Sequence, residues 1–404
     1  MTSDEDYLKL IVQVGNFTKK TTGTSIVDAY FGPENLSPER VTRIPSSEKL
    51  LASLDRLIDT TKDLDNELRR IVIASDFRSL KVVARWLSGD NIPYKQLVEG
   101  IFGITPSKFR RAEIQKAQQK VEDASKGLPG SNVGERIVKW RDKSKISGET
   151  LKKMINTEVL ERTKEIEELF KEKVFNHLPF KVKNRGVIYK VATGEPWGAY
   201  NYYQGNFASI NAINVDRPHN KYRLIGMLCH EYEHHIANVF TEHYYRKTKA
   251  LDTSVALLHT KGSIINEGTA DCAREFLNLK PTEYGKLLES LSTLQSMVTL
   301  NSAYMLNVEN VDDEKTAEYI SSEAFIPAEE ARKSLMFNKP MTPSGQPNLF
   351  KPYIYTYYFG RKDYVLPTFQ KAKRKGKINE FFQTLYLNPY SRSSETWNTA
   401  FSNI

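Results

Sequence analysis

The sequence predicts a mainly α-helical protein with a small β-sheet. Three observations carry this. Apolar residues recur at intervals of three and four through most of the chain, with charges filling the positions between. Residues 180–215 change style, to alternating and β-branched residues punctuated by Gly and Pro. The 404 residues hold no internal repeat and no low-complexity tract. With 40% hydrophobic and 26% charged residues, the composition is that of a globular protein and excludes a disordered one.

Taken in order, residues 7–15 (YLKLIVQVG) are expected to be extended, followed by the turn-rich stretch FGPENLSPER. From Pro45 to Gly89 the pattern is helical, with Ser46 and Ser47 ready to cap and Glu48 close behind. Residues 91–104 and 105–127 add two more helices, and LPGSNVG (128–134) breaks the run. Residues 134–178 read as one or two long helices ending before Pro179. Three strands are expected within 180–215. Helices then resume to the C-terminus around a Pro-rich loop at 338–352. The division expected is a helical region, 1–178, forming one wall of a cleft, and a catalytic region, 179–404. The second holds the sheet at 180–215, metal-binding helices at 222–240 and 262–278, and the C-terminal helices.

Net charge is +9, yet Lys and Arg alternate with Asp and Glu along most of the chain. Only 371–377 (KAKRKGK) and 108–111 (KFRR) are dense, which fits solvated faces better than a nucleic-acid footprint. No apolar run approaches a membrane span. The N-terminus starts acidic, without a basic-then-apolar signal pattern. Cys229 and Cys272 are the only cysteines, expected as small buried thiols rather than a disulfide framework. A cytoplasmic protein is expected.

The densest chemistry lies in LIGMLCHEYEHHIANVF (224–240), where six positions hold three of the chain's seven histidines and two glutamates. His230 and His234 are four apart, so on a helix both imidazoles point to one side and can hold one metal ion. Glu231 can reach a water there as general base. Downstream, KGSIINEGTADCARE offers Glu267 as a third ligand. Asp271, one turn later, can accept the free N–H of a ligand imidazole and fix its tautomer. Gly268 and Ala270 are small enough to let this helix pack closely on the first. His235 points about 100° away from His234, which suits a supporting or packing role. Glu233 reads as solvated or salt-bridged, and His219, His243 and His259 as surface or satisfied histidines.

His230-Glu231-x-x-His234 followed by Glu267-x-x-x-Asp271 resembles the thermolysin-like glutamate zincins. The helical setting is more similar to their oligopeptidase and Taq-type carboxypeptidase branches. The layout also resembles an uncharacterised family of bacterial and archaeal metal-dependent carboxypeptidases, whose "GHH", "EGWA" and "Y-x-x-G" segments correspond here to HEYEHH, NEGTADCARE and YYFG. The Pro-Gly that precedes the paired histidines in that family is absent. The resemblance implies a zincin core, one Zn²⁺ per chain and a peptide substrate.

A zinc peptidase also needs an oxyanion donor. On a helix starting near Pro352, Tyr353, Tyr357, Gly360 and Tyr364 would share a face, and the Y-x-x-G resemblance points to Tyr357, with Tyr353 one turn before it. Arg361 could meet a substrate carboxylate bidentately. The strand at 205–214 is expected to pair with an extended peptide beside the metal, with Asn211 and Ala212 nearest the cleft. The expected activity is zinc-dependent peptide hydrolysis, of carboxypeptidase or oligopeptidase type, with Glu231 as general base. Two other readings fit less of the chain. A di-iron carboxylate protein could use Glu231-x-x-His234, but the chain has no second E-x-x-H. A non-enzymatic, nucleic-acid-binding protein on a peptidase-like fold would leave the complete His/Glu set unexplained.

Overall fold

The chain begins in a helix, α1 (Asp4–Thr22), where the sequence suggested extended backbone. Its β-branched residues are misleading: Tyr7, Leu8, Ile11, Val12, Gly15, Thr18 and Thr22 follow the helical period and are buried, so packing outweighs local propensity. The structure, a computed structural model, describes residues 4–195, 197–280 and 283–404. Pro196, within the expected sheet segment, lies outside them, as do Pro281, Thr282 and residues 1–3.

After α1 come β1 (Val27–Tyr30), α2 (Ser47–Thr60), α3 (Glu67–Leu87), α4 (Tyr94–Phe102), α5 (Arg111–Ala124) and α6 (Val133–Ser144). Next are β2 (Lys145–Ile146), α7 (Gly148–Ile155), α8 (Glu158–Lys173), β3 (Val187–Ala192), β4 (Ala199–Tyr203), β5 (Ser209–Asn214) and β6 (His219–Asn220). The long α9 (Leu224–Thr248) is followed by β7 (Val255–Leu257), α10 (Lys261–Asp271), α11 (Ala273–Phe276), α12 (Gly285–Asn307), α13 (Asp313–Ala324) and α14 (Ala328–Ser334). The last helices are α15 (Tyr355–Phe359), α16 (Leu366–Lys375), α17 (Ile378–Leu387) and α18 (Trp397–Ala400). A π-helical stretch, Gly360–Val365, joins α15 to α16. Three helices, α6 to α8, thus fill the span read as one or two.

Local chemistry accounts for several boundaries. Asn66, Asn132 and Asp312 each accept a backbone N–H as N-caps of α3, α6 and α13. Gly103 and Gly376 end α4 and α16 in the left-handed conformation that glycine tolerates. Ser46 occupies the N-cap of α2 but makes no side-chain cap bond.

Among the described residues three large hydrophobic cores, and a small fourth of Ala29, Tyr203, Phe207 and Val239, hold the elements together. The first joins α1 to α4 with Val255, Ile264, Tyr353 and Tyr355. The second packs α7 and α8 against α9, Ile213 of β5 and the helices α16 to α18. The third packs α5 and α6 on α12 to α14. Each core draws on residues from both sides of position 178.

The three-stranded sheet has the order β3-β5-β4, with β3 parallel and β4 antiparallel to β5. The β5 strand is therefore central, and β4 is the strand against α9, where the Tyr203 hydroxyl donates to Glu242 Oε2 at 2.5 Å. A separate antiparallel pair, β1 and β7, carries a bulge between Val27 and Ala29, at Asp28. Among the described residues no helix is long and apolar enough to cross a membrane.

Candidate metal centre

On α9, His230 and His234 present their rings to the same side, with the two Nε2 atoms 3.1 Å apart. Packed against it, α10 brings Glu267 Oε2 to 3.4 Å from His230 Nε2 and 3.7 Å from His234 Nε2. Residues Thr260 and Ser263 begin α10 with a reciprocal capping box, which sets where this helix starts. Of the described residues, His230, His234 and Glu267 form the group whose ligand atoms all lie within 4.8 Å of one another.

The donor set fits a divalent cation. Glu267 Oε2 is buried and has no hydrogen-bond partner, an expensive state for a carboxylate oxygen. Tetrahedral zinc with bonds of about 2.0–2.1 Å requires ligand separations of roughly 3.3 Å, close to the three distances above. Asp271 Oδ1 accepts from His230 Nδ1 at 2.9 Å. An ionised carboxylate cannot donate, so Nδ1 carries the proton and Nε2 turns its lone pair to the cluster. Burial favours the neutral form of Glu267, but without a metal the two imidazoles take up a second proton, outweigh burial and hold the carboxyl well below the usual range. Tyr353 donates to Glu267 Oε1 at 2.8 Å, so the other carboxylate oxygen is fixed.

Glu231 lines the same cavity, 8% exposed, with no hydrogen bond among the described residues. Burial pushes its pKa up, against the opposing pull of both imidazoles. Tyr357 also lines the cavity and its hydroxyl is likewise unbonded, whereas that of Tyr353 is engaged. These positions follow from a close approach of two backbones. Gly268 of α10 packs against Gly360, not against α9 as its size suggested, and this lays the tyrosine segment over Glu267.

Other candidates lie elsewhere. Arg361 is bound bidentately to Glu275, at 2.7 and 3.0 Å, and donates to the Asp271 carbonyl; it does not line the cavity. Asn211 and Ala212 sit on β5, which is hydrogen-bonded on both sides, so neither edge is open. Asn211 is buried between Asn201 and Tyr189. The strand at the cavity is β4, through Ala199, Tyr200 and Asn201. His235 is buried beside Ser209 and Asn184, at 2.8 Å each, and burial lowers its pKa to about 3; it ties α9 to β5 and to the loop before β3. Glu233 is fully buried rather than solvated, accepting from Tyr386 at 3.2 Å. Cys229 and Cys272 are buried and unpaired.

Several cavity residues went unread in the sequence: Asp28, Tyr200, Asp76 and Arg392. Tyr200 donates to Asp28, the residue at the β1 bulge. Asp76 had a legible signal, since it interrupts the apolar face Ile73-Phe77-Leu80 of α3. Asp28 had none, because strand pairing decides where its side chain points.

The fold and cluster describe a mainly helical protein with a His/His/Glu group that could hold a metal ion. Residues 95–333 match the family described as "Putative zinc dependent peptidase (DUF5700)", a span covering more than half of the chain and every residue of the cluster; the chain belongs to this family. No curated protein matches it. Among solved structures, a putative lipoprotein from Colwellia psychrerythraea is similar at 14% identity and a TM-score of 0.54, covering 89% of this chain and 68% of that one. A putative lipoprotein of unknown function from Shewanella oneidensis matches at 14% identity and a TM-score of 0.44, covering 86% of this chain and 70% of that one.

Proposed function

We propose that the chain is a zinc-dependent peptidase of the glutamate-zincin type, with His230, His234 and Glu267 as ligands and Glu231 as general base. The observation that carries this is the buried Glu267 Oε2, unpaired and facing two imidazole Nε2 atoms. Zinc bound there supplies Lewis acidity, polarising a carbonyl oxygen and lowering the pKa of water. Glu231 removes the proton from the attacking water and returns it to the leaving amine. Burial raises the basicity of this carboxyl, the direction that suits a group taking and returning a proton. Tyr357 donates a hydrogen bond to the oxyanion. Tyr353 and Asp271 hold Glu267 and His230 in position.

The substrate lies along β4. Gly198 bonds to Asn214 of β5 and Gln204 to Ala208 just before it, so by alternation the backbones of Ala199 and Asn201 face the other edge, which pairs with no strand among the described residues. An extended peptide adds there as a further strand. The unpaired, buried cysteines support a reducing, cytoplasmic setting.

The test is elemental mass spectrometry with a peptide-library digest. One zinc per chain is expected, sharply reduced in Glu267→Ala. Glu231→Gln should keep the zinc and lose hydrolysis. Native protein without zinc affinity, or Glu231→Gln at full activity, would sink the reading.

A further inference from the structure

The cavity does not stop at the metal centre. It continues between the C-terminal half of α9, past Ala237, Asn238 and Thr241, and the N-terminal half of α10, past Ser263 to Thr260. Thr260 and Glu267 are seven residues apart, so this arm is about 10 Å long at 1.5 Å per residue. Val72 and Ile73 of α3 and Pro389 supply apolar wall. Asp76, one turn beyond Val72 on the same helix, lines it too.

Asp76 has no ion pair among the described residues; the hydroxyl of Thr260 is the polar group that most favours its charged form. The neighbouring Asp252 is already matched, by Arg69 at 2.6 Å and the Tyr390 hydroxyl at 2.7 Å. Burial pushes the Asp76 carboxyl up to about 7, with Asp252 adding to the rise and Thr260, Lys261 and Arg78 opposing it. A second group points the same way. Tyr7 is only 8% exposed, lines this arm near both acids, and its hydroxyl makes no hydrogen bond among the described residues. Lys261, Arg78 and Arg392 are the cations nearby, but Lys261 is paired with Glu395 and Arg392 is spent on the Ala237 carbonyl and Thr241, and none is within ion-pair distance of Asp76 among the described residues. A carboxylate with no cation in direct contact and a phenol without a hydrogen bond, at the end of a partly apolar arm, are complementary to an ammonium or guanidinium group on an aliphatic stem.

We propose that Asp76, with Tyr7, forms the floor of a specificity pocket that binds a cationic group of the substrate, the side chain of a lysine or arginine next to the scissile bond. This rests on the peptidase reading of the metal centre. The length agrees: a scissile carbonyl at the metal, plus a lysine stem of roughly 6 Å, spans about the length of the arm.

Binding decides the proposal without hydrolysis. Nα-acetyl-lysine amide, Nα-acetyl-norleucine amide and norleucine amide with its free α-amine are titrated calorimetrically into the full chain and into Asp76→Asn. The lysine amide should bind about tenfold more tightly than acetyl-norleucine amide, and the gap should close in Asp76→Asn. Equal binding of the two acetylated amides to the native chain overturns the proposal, whether or not the variant folds. If free norleucine amide matches acetyl-lysine amide and loses its advantage in Asp76→Asn, the cation is the chain terminus and the side-chain assignment is overturned. A library digest separates the two readings. Cleavage with no preference for Lys or Arg removes the pocket and leaves the peptidase. Lysine-selective binding without cleavage of any peptide removes the peptidase and leaves the pocket.

Discussion

Gly268 and Gly360 pack backbone against backbone. A Cβ on Gly360 would lie 1.9 Å from the Ile264 carbonyl oxygen, and one on Gly268 would lie 2.4 Å from the Gly360 carbonyl carbon. Main chain cannot rotate away as a side chain can, so the added methyl group must push α10 and the π-helical stretch apart. Gly360→Ala is expected to cost about 3 kcal/mol and to lower zinc retention, because it lifts Tyr353 off Glu267. Denaturant unfolding and metal content measure the two effects; an unchanged midpoint would show that the contact is not needed.

Tyr353 and Tyr357 are expected to separate in their effects. Tyr353→Phe removes the hydrogen bond to Glu267 Oε1 and should weaken zinc binding roughly 10- to 100-fold. Tyr357→Phe should leave zinc binding intact and lower kcat about 10²- to 10³-fold with little change in KM. Competition against a chelator reads the first effect, and steady-state kinetics the second. Equal metal loss in both variants would argue against the division of roles.

Asp271→Asn tests the tautomer of His230. The amide can present its NH₂ to Nδ1, which then gives up its proton and moves it to Nε2, the atom that faces the metal. Zinc affinity should fall about 10- to 100-fold, with Asp271→Glu recovering part of it.

Metal removal should loosen the centre. Stripping zinc leaves Glu267 Oε2 without a partner, so the thermal midpoint is expected to drop under a chelator and to recover with zinc but not magnesium. A midpoint insensitive to both would mean that the cluster carries no metal-linked stability.

His259 should make stability fall on the acid side of neutrality. Burial pushes its pKa down to about 4, against the bond from Nε2–H to the Leu349 carbonyl. Its unfolded value is about 6.5. The unfolded chain therefore takes up this proton first, and the contribution is complete above pH 6.5 and lost as pH falls from there through 4. The loss is roughly 3 kcal/mol. His259 has φ +58, which Asn tolerates, so His259→Asn is the control. Denaturant midpoints between pH 7 and 4 should fall less steeply in the variant, and parallel slopes would refute the assignment.

Much of the His230, His234 and Glu267 cluster was legible in sequence because it is local. The spacing of His230 and His234, and of Glu267 and Asp271, is one helical turn, and a turn has the same geometry wherever the helix sits. Helical periodicity likewise marked most helices. It failed at residues 7–15, where β-branched residues suggested a strand and burial of one face against the first core made a helix.

Tertiary packing decided what spacing cannot express. Whether a strand is central or at an edge depends on what pairs with it, so Asn211 gave way to Ala199 and Asn201 of β4. Arg361 was placed at the substrate by its charge and position, yet Glu275, 86 residues away in sequence, claims its guanidinium. Asp28 and Asp76 belong to elements far from α9 in the chain and reach the cavity only because β1 pairs with β7 and α3 packs beside α10. The sequence by itself determined which side chains can share one turn of helix. Only the tertiary structure decided which distant carboxylates face them, because that depends on how the helices and strands pack and not on their periodicity.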